Sequence, residues 1–249
     1  MKHCHIFLVI ALALSFVLSS AGIRFVSAAP HRALTDDFVI TVKTDNLSTG
    51  SSNSTQFTIP TYAGETYNYN VDCDNDGSDE ATGQTGSYTC DYGTGNEGKY
   101  TVRIKDNSGL GTGFPRIFFN KVGDKRKLLT IEQWGSSKWT SMANAFYGCS
   151  RLAGQASDAP DLSNVTNMKN MFRGANSFNQ DIGNWDTSSV TKMRGLFWNA
   201  WSFNQDIGGW DTSQDCPLLG HKLPAIDLWL KYHHYQTTLR EVGDYHYQS

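Results

Sequence analysis

"SFNQDIGNWDTS" occupies residues 177–188 and "SFNQDIGGWDTS" residues 202–213, and the two stretches differ only at Asn184 and Gly209. Phe178 and Phe203 therefore stand 25 residues apart, and Ile182 with Ile207 and Trp185 with Trp210 keep the same spacing. The register also holds upstream: Val165 meets Val190, Met168 meets Met193, Met171 meets Leu196, Phe172 meets Phe197 and Ala175 meets Ala200. An earlier unit lies at a spacing of 26, in which Trp134 corresponds to Pro160, Met142 to Met168, Phe146 to Phe172 and Leu152 to Phe178. A period in the twenties marks stacked units, each too small to bury its own apolar face, so that neighbours complete one core. Met142, Phe146, Leu152, Val165, Met168, Met171, Phe172, Phe178, Ile182, Trp185, Val190, Met193, Leu196, Phe197, Phe203, Ile207 and Trp210 form that candidate core, spread over about three units between Ile131 and Ser213.

Within a unit, "VTKMRGLF" sets Val190, Met193, Leu196 and Phe197 at offsets of three, six and seven, a spacing that predicts a short helix or helical turn. "FNQDIGNW" suits an extended stretch, and Asp186 or Ser188 is placed to cap the next helical start. Strand, turn and helix in succession predict a solenoid resembling leucine-rich repeats.

Upstream the period changes to two. "FVITVKT", "QFTIPT", "YNYNVDCD", "GSYTCDYG", "KYTVRIK" and "RIFFN" alternate apolar and polar residues between clusters of Gly, Asn, Asp and Pro, as short strands do. The expected class is thus α+β, an Ig-like β-sandwich module followed by a short leucine-rich-repeat-like solenoid. The expected boundaries are a signal peptide over 1–28, a linker over 29–37, the β domain over 38–122, the repeats over 123–213 and an atypical tail over 214–249. In that tail "QDCPLLGHKLPAIDLWL" abandons both period and composition, so it reads as a cap, a disordered end or a gene-model artefact.

Two motifs in the β half fail on context. "GTGNEG" at residues 93–98 matches the dinucleotide glycine pattern but precedes the strand-like "KYTVRI" where a helix is required, so a hairpin turn explains it better. Asp72, Asp74, Asp76 and Gly77 open like a calcium loop, yet Gly83 stands where the closing bidentate Glu belongs. A solvated turn is the preferred reading, with calcium left open. No C-x-x-C spacing appears, and no metal or cofactor is expected.

Lys2, His3 and His5 precede the apolar run from Ile6 to Leu18, and "VSA" at residues 26–28 supplies small residues for cleavage, so secretion is expected with no membrane span left after cleavage; the alternative is an uncleaved signal anchor, since apolar character continues to Ile23. An oxidising destination makes Cys73 and Cys90 the expected disulfide, worth about 3 kcal/mol for a loop of that size. Asn46, Asn53 and Asn164 lie in glycosylation sequons. A net charge of −3, from 21 basic and 24 acidic side chains, gives no reason to expect nucleic acid as a partner.

The stretch "LSNVTNMKNMFRGANSFNQDIGNWDTSSVTKMRGLF" resembles the repeats of the BspA-like leucine-rich surface proteins, with their V-T-x-M-x-x-M-F and F-N-x-D-I-x-x-W-D-T-S pattern. "FPRIFFNKVGDKRKLLTIEQWGSSKWTSMANAFYGCSRL" is similar to that family's lead-in from a preceding β domain. "YNYNVDCD" followed by "DNDGSD" and "YTVRI" is loosely similar to the polycystic-kidney-disease-type domain. The resemblance implies a secreted or cell-surface, non-enzymatic protein that binds an extracellular protein or glycan. The alternative is a structural component of an envelope or coat that self-associates through the end of the stack. A third class, a carbohydrate-active enzyme using Asp181 and Asp206, is disfavoured, because a residue recurring once per unit forms a ladder and not two differently tuned carboxylates in one pocket.

Overall fold

Phe38, Ile40 and Val42 alternate with Val39, Thr41 and Lys43, and this period of two lays strand β1 (Phe38–Lys43) through the middle of a sheet with its first set facing the core. The computed structural model describes residues 36–210, within one compact unit. Eight strands follow in chain order: β1, β2 (Gln56–Ile59), β3 (Tyr69–Asp72), β4 (Ala81–Gln84), β5 (Tyr88–Asp91), β6 (Lys99–Asp106), β7 (Leu128–Gln133) and β8 (Ala153–Gly154). Six of them make one sheet in the order β4-β3-β6-β1-β7-β8, and β2 pairs with β5 in a second, smaller sheet. All pairings are antiparallel except β7 with β8, which is parallel.

Register follows the apolar alternation, because a slip of one residue would turn every inward side chain to the other face. Phe38 lies opposite Ile104 and Ile40 opposite Val102, all four fully buried. Cys73, just beyond β3, and Cys90, inside β5, form a disulfide that ties the large sheet to the small one. A second tie is ionic. Lys127 and Asp124 are both buried, and the ammonium donates to the carbonyls of Ser52, Asn53 and Gln56 while the carboxylate accepts from the amides of Ser52 and Thr58. Burial pushes the Lys127 ammonium below its ordinary pKa, against the opposing pull of Asp124. The arrangement fastens the loop before β2 to the chain entering β7.

The aromatic core passes without a break from the sheet into the repeats. Phe38 packs 5.1 Å edge-on from Trp139 and 5.7 Å from Trp134, and Trp134 meets Trp185 edge-on at 5.3 Å. All of these side chains are buried, so the same apolar cluster serves both halves.

The expected α+β class, with an Ig-like β-sandwich and a leucine-rich-repeat-like solenoid, is corrected here. Among the described residues none is helical, the regular structure is β-strand, and no strand–helix solenoid forms. The units contain consecutive turns closed between residues three apart: Met171 N–H to Met168 O, Arg173 to Asn170, Ala175 to Phe172 and Phe178 to Ala175. Helix formation is blocked by two left-handed positions per unit, filled by Asn144 and Gly148, Asn170 and Gly174, then Gly195 and Asn199, with φ between 58° and 83°. Only Gly and Asn occupy that region at low cost. An apolar spacing of three and four is met equally well by such turns, which is why it was legible as a helix.

Two further expectations change. "RIFFN" is not a strand; Phe119 and Lys121 instead donate to the carbonyls of Ala145 and Tyr147, while Asn120 and Lys121 take positive φ. The loop at residues 93–98 connects β5 to β6, which belong to different sheets, so it is a crossover with left-handed Gly93 and Gly95 and not a hairpin.

Candidate functional site

The repeats hold their shape through hydrogen bonds made from one unit to the next. Met142, Asn144, Phe146 and Gly148 donate backbone N–H groups to Asn167, Lys169, Met171 and Arg173. One unit on, Met168, Asn170, Phe172 and Gly174 donate to Lys192, Arg194, Leu196 and Trp198. Each ladder aligns the next, so side chains at one phase form columns.

The expected core residues fall into these columns. Phe146, Phe172 and Phe197 stack at 5.6 and 5.9 Å, Phe178 on Phe203 at 6.0 Å, and Trp185 on Trp210 at 6.3 Å with planes 13° apart. Met142, Leu152, Val165, Met168, Met171, Ile182, Val190, Met193, Leu196 and Ile207 are buried as well, while Phe197 is partly buried against the cluster. Cys149 shares a column with Ala175 and Ala200, where only a small side chain fits, and burial pushes its thiol well above the ordinary range. It packs; it is not placed to react.

The polar letters of the twin phrases have local tasks. Asp181 accepts from the amide of Gly183 and Asp206 from that of Gly208, each closing its own turn, and Asp186 does the same for Ser188. Hydrogen bonds from Ser188 hold the Asp186 carboxyl below its usual pKa. Asn179 and its successors join the units: its side-chain oxygen accepts from Asn204 N–H at 2.8 Å, and its carbonyl accepts from the Gln205 amide at 3.0 Å. Trp210 Nε1 donates to Ile182 O at 3.0 Å.

One outward column differs. Tyr147, Arg173 and Trp198 stand at the same phase of successive units, with Lys121 one rung before them. The Arg173 guanidinium sits 5.1 Å from the Tyr147 ring centre and 5.2 Å from that of Trp198, and Lys121 Nζ sits 5.9 Å from Tyr147. A cation over an aromatic face is attracted by the ring quadrupole, which fixes its position without neutralising it. Among the described residues neither Arg173 nor Lys121 pairs with a carboxylate. The turn-ladder stretches supply none: residues 133–157, 162–180 and 187–205 contain no Asp or Glu, yet carry Lys138, Arg151, Lys169, Arg173, Lys192 and Arg194.

Arg116 performs a related task at the start of the ladder. Its guanidinium donates to Ala143 O at 3.0 Å and lies 4.0 Å from the Tyr62 ring centre, while the Phe118 amide one rung before Asn144 turns away to Pro60 O. Burial lowers its pKa, while Glu65 opposes the shift.

Other candidate features have quieter explanations. The acidic turn brings one carboxylate oxygen each from Asp72, Asp74 and Glu80 within 4.8 Å of one another. Asp72 is already used, accepting from Asn75 and Gly77 amides and facing Lys105 at 3.2 Å, and Asp76 closes a turn with Ser78. Gly83 lies in β4 and donates to Asn70. On the outer face of the large sheet, Thr41, Lys99, Thr101, Arg103, Glu132 and Gln155 line an open depression of about 410 Å³. Of the sequons, Asn53 and Asn164 are exposed, whereas the Asn46 amide nitrogen is buried without a partner.

A family model described as "Mycoplasma protein of unknown function, DUF285" matches residues 115–217. The chain is similar to that family over this stretch. The match opens at Pro115, immediately before the Arg116 and Phe119 groups that start the ladder, so it takes in every described turn unit. No curated protein and no solved structure matches the chain. The buried columns are legible in the sequence, but the Lys121–Tyr147–Arg173–Trp198 column is not, because four unlike side chains carry no visible repeat. The signal that could have found it is the shared phase with the Asn and Gly positions on either side.

Proposed function

We propose that this chain is a secreted or cell-surface protein that binds an extracellular ligand through repeated contacts and is not an enzyme. The observation that carries the reading is the outward column Lys121–Tyr147–Arg173–Trp198, regularly spaced on a backbone held by unit-to-unit hydrogen bonds. Weak contacts repeated on such a preordered scaffold add up, since little conformational freedom is lost on binding. Export is supported by the apolar run from Ile6 to Leu18 and by the Cys73–Cys90 disulfide, which suits an oxidising compartment. The resemblance of the twin phrases to BspA-like repeats supports surface exposure. Asp181 and Asp206 favour binding over glycoside hydrolysis, because each is occupied with the turn it closes.

Screening the full chain against immobilised glycans and extracellular glycoproteins tests this reading. Saturable capture of at least one class, without turnover, is expected; absence of capture across the panel contradicts it. A second reading, self-association into a coat, is favoured by the far end of the ladder. There the amides of Gly195, Phe197 and Asn199 have no acceptor among the described residues, and a row of donors alone invites carbonyls from another chain. Concentration-dependent sedimentation without ligand distinguishes the two.

A further inference from the structure

The geometry points to an anionic polysaccharide, with its acidic groups on alternate sugars, as the ligand of the Lys121–Tyr147–Arg173–Trp198 column; this deepens the binding reading above and rests on it. Lys121 and Arg173 flank the Tyr147 ring at 5.9 and 5.1 Å from its centre, and two rungs of a parallel ladder separate such groups by about 10 Å. Arg173 is clamped from its other side by Trp198 at 5.2 Å. Its planar donors are therefore held in place before any ligand arrives and lack a carboxylate partner among the described residues, which suits bidentate capture of a carboxylate or sulfate.

The spacing separates the classes of polyanion. Side chains on one face of an extended acidic peptide recur at about 7 Å, so successive carboxylates drift out of step with charges about 10 Å apart. A pyranose ring advances its chain by about one rung, so a polymer acidic at every second sugar keeps its charges in step. The intervening neutral sugar then faces the outer edge of Tyr147, whose hydroxyl makes no hydrogen bond to the described residues. Lys169, Lys192 and Arg194, on stretches free of acidic residues, add a field of the same sign.

Binding of the full chain to hyaluronate, heparin and poly-L-glutamate by calorimetry, with neutral dextran as the control, tests the assignment. Hyaluronate, acidic only through carboxylates on alternate sugars, is expected to bind with an affinity that falls as salt rises. Arg173→Gln is expected to weaken it at least tenfold and Lys121→Gln several-fold. Arg173→Lys, which keeps the charge and loses the planar donors, is expected to fall between wild type and Arg173→Gln. Heparin, which is acidic on every sugar, binding with the same variant losses while hyaluronate does not bind overturns the alternate-sugar assignment. Poly-L-glutamate binding as tightly as either polysaccharide overturns the class, and hyaluronate binding unaffected by both Gln variants overturns the column. Failure of every anionic probe, with capture still seen on the wider glycan and glycoprotein panel, overturns this inference and leaves the binding reading standing.

Discussion

In the sheet each strand finds its partner across long stretches of chain, whereas in the turn ladder each unit finds its partner in the next copy of itself. β1 must reach β6 and β7, some sixty and ninety residues on, and only the inward set of Phe38, Ile40 and Val42 specifies the register. The ladder needs no such search. Met142, Asn144, Phe146 and Gly148 repeat as Met168, Asn170, Phe172 and Gly174, and their N–H groups meet the same phase of the following unit. The lesson is that the sheet depends on partners far along the chain, while a substitution in the middle of the ladder loosens two interfaces with neighbouring copies of the same unit.

That contrast can be broken most severely at Phe172. The ring stacks between Phe146 and Phe197 and against Phe178, so Phe172→Ala is expected to cost about 4 kcal/mol in denaturant unfolding. The same change at Phe197, partly exposed, is expected to cost less than half as much; equal losses at both would deny that the inner unit carries two interfaces. Next in size is the disulfide. Replacing Cys73 and Cys90 by Ser is expected to remove about 3 kcal/mol. Because the core is continuous, the loss should appear in one transition, and a separate early melting of the sheet would show instead that the two halves unfold independently.

Smaller effects test the left-handed positions. Asn170→Gly is expected to be nearly neutral, while Asn170→Val forces a β-branched residue to a φ of 58° and is expected to cost about 2 kcal/mol by thermal denaturation. The smallest effect concerns pH. Burial tends to raise the Asp106 carboxyl, but hydrogen bonds from Ser108, Gly111 and Gly113 outweigh it and leave the pKa below its ordinary value. Its contribution is therefore full above about pH 4, the unfolded value, and is lost as pH falls through the lowered folded one. Asp106→Asn is expected to flatten that acid limb of the stability curve, and an unchanged limb would assign it to other carboxylates.

Much of this architecture was legible in the letters. Five of the six predicted strand segments contain strands, Cys73 pairs with Cys90, and Phe178 and Trp185 stack on their counterparts because burial and period are direct consequences of residue type. β4 was not visible: "ATGQ" has no apolar alternation and is recruited by its neighbour β3. β7 was hidden inside the lead-in to the repeats, since nothing local announces that "LLTIEQ" will pair with β1. The helix expectation failed for a different reason. Val190, Met193, Leu196 and Phe197 satisfy helical spacing, but Gly195 and Asn199 are left-handed, and an added Cβ at Gly195 would come within 2.5 Å of Asn170 Oδ1. A pair of Asn or Gly residues four apart, recurring at the repeat period, is the mark that separates stacked turns from helices.

Residues 177–185 and 202–210 lie one above the other in register. Asn179→Cys with Asn204→Cys tests it most directly, since these exposed residues are joined side chain to backbone at 2.8 Å. Peptide mass mapping after mild oxidation is expected to find that pair linked, and Asn179→Cys with Gly209→Cys, five residues out of phase, unlinked. Equal linkage of both pairs, or linkage of the shifted pair alone, would mean that the two stretches are not stacked in register.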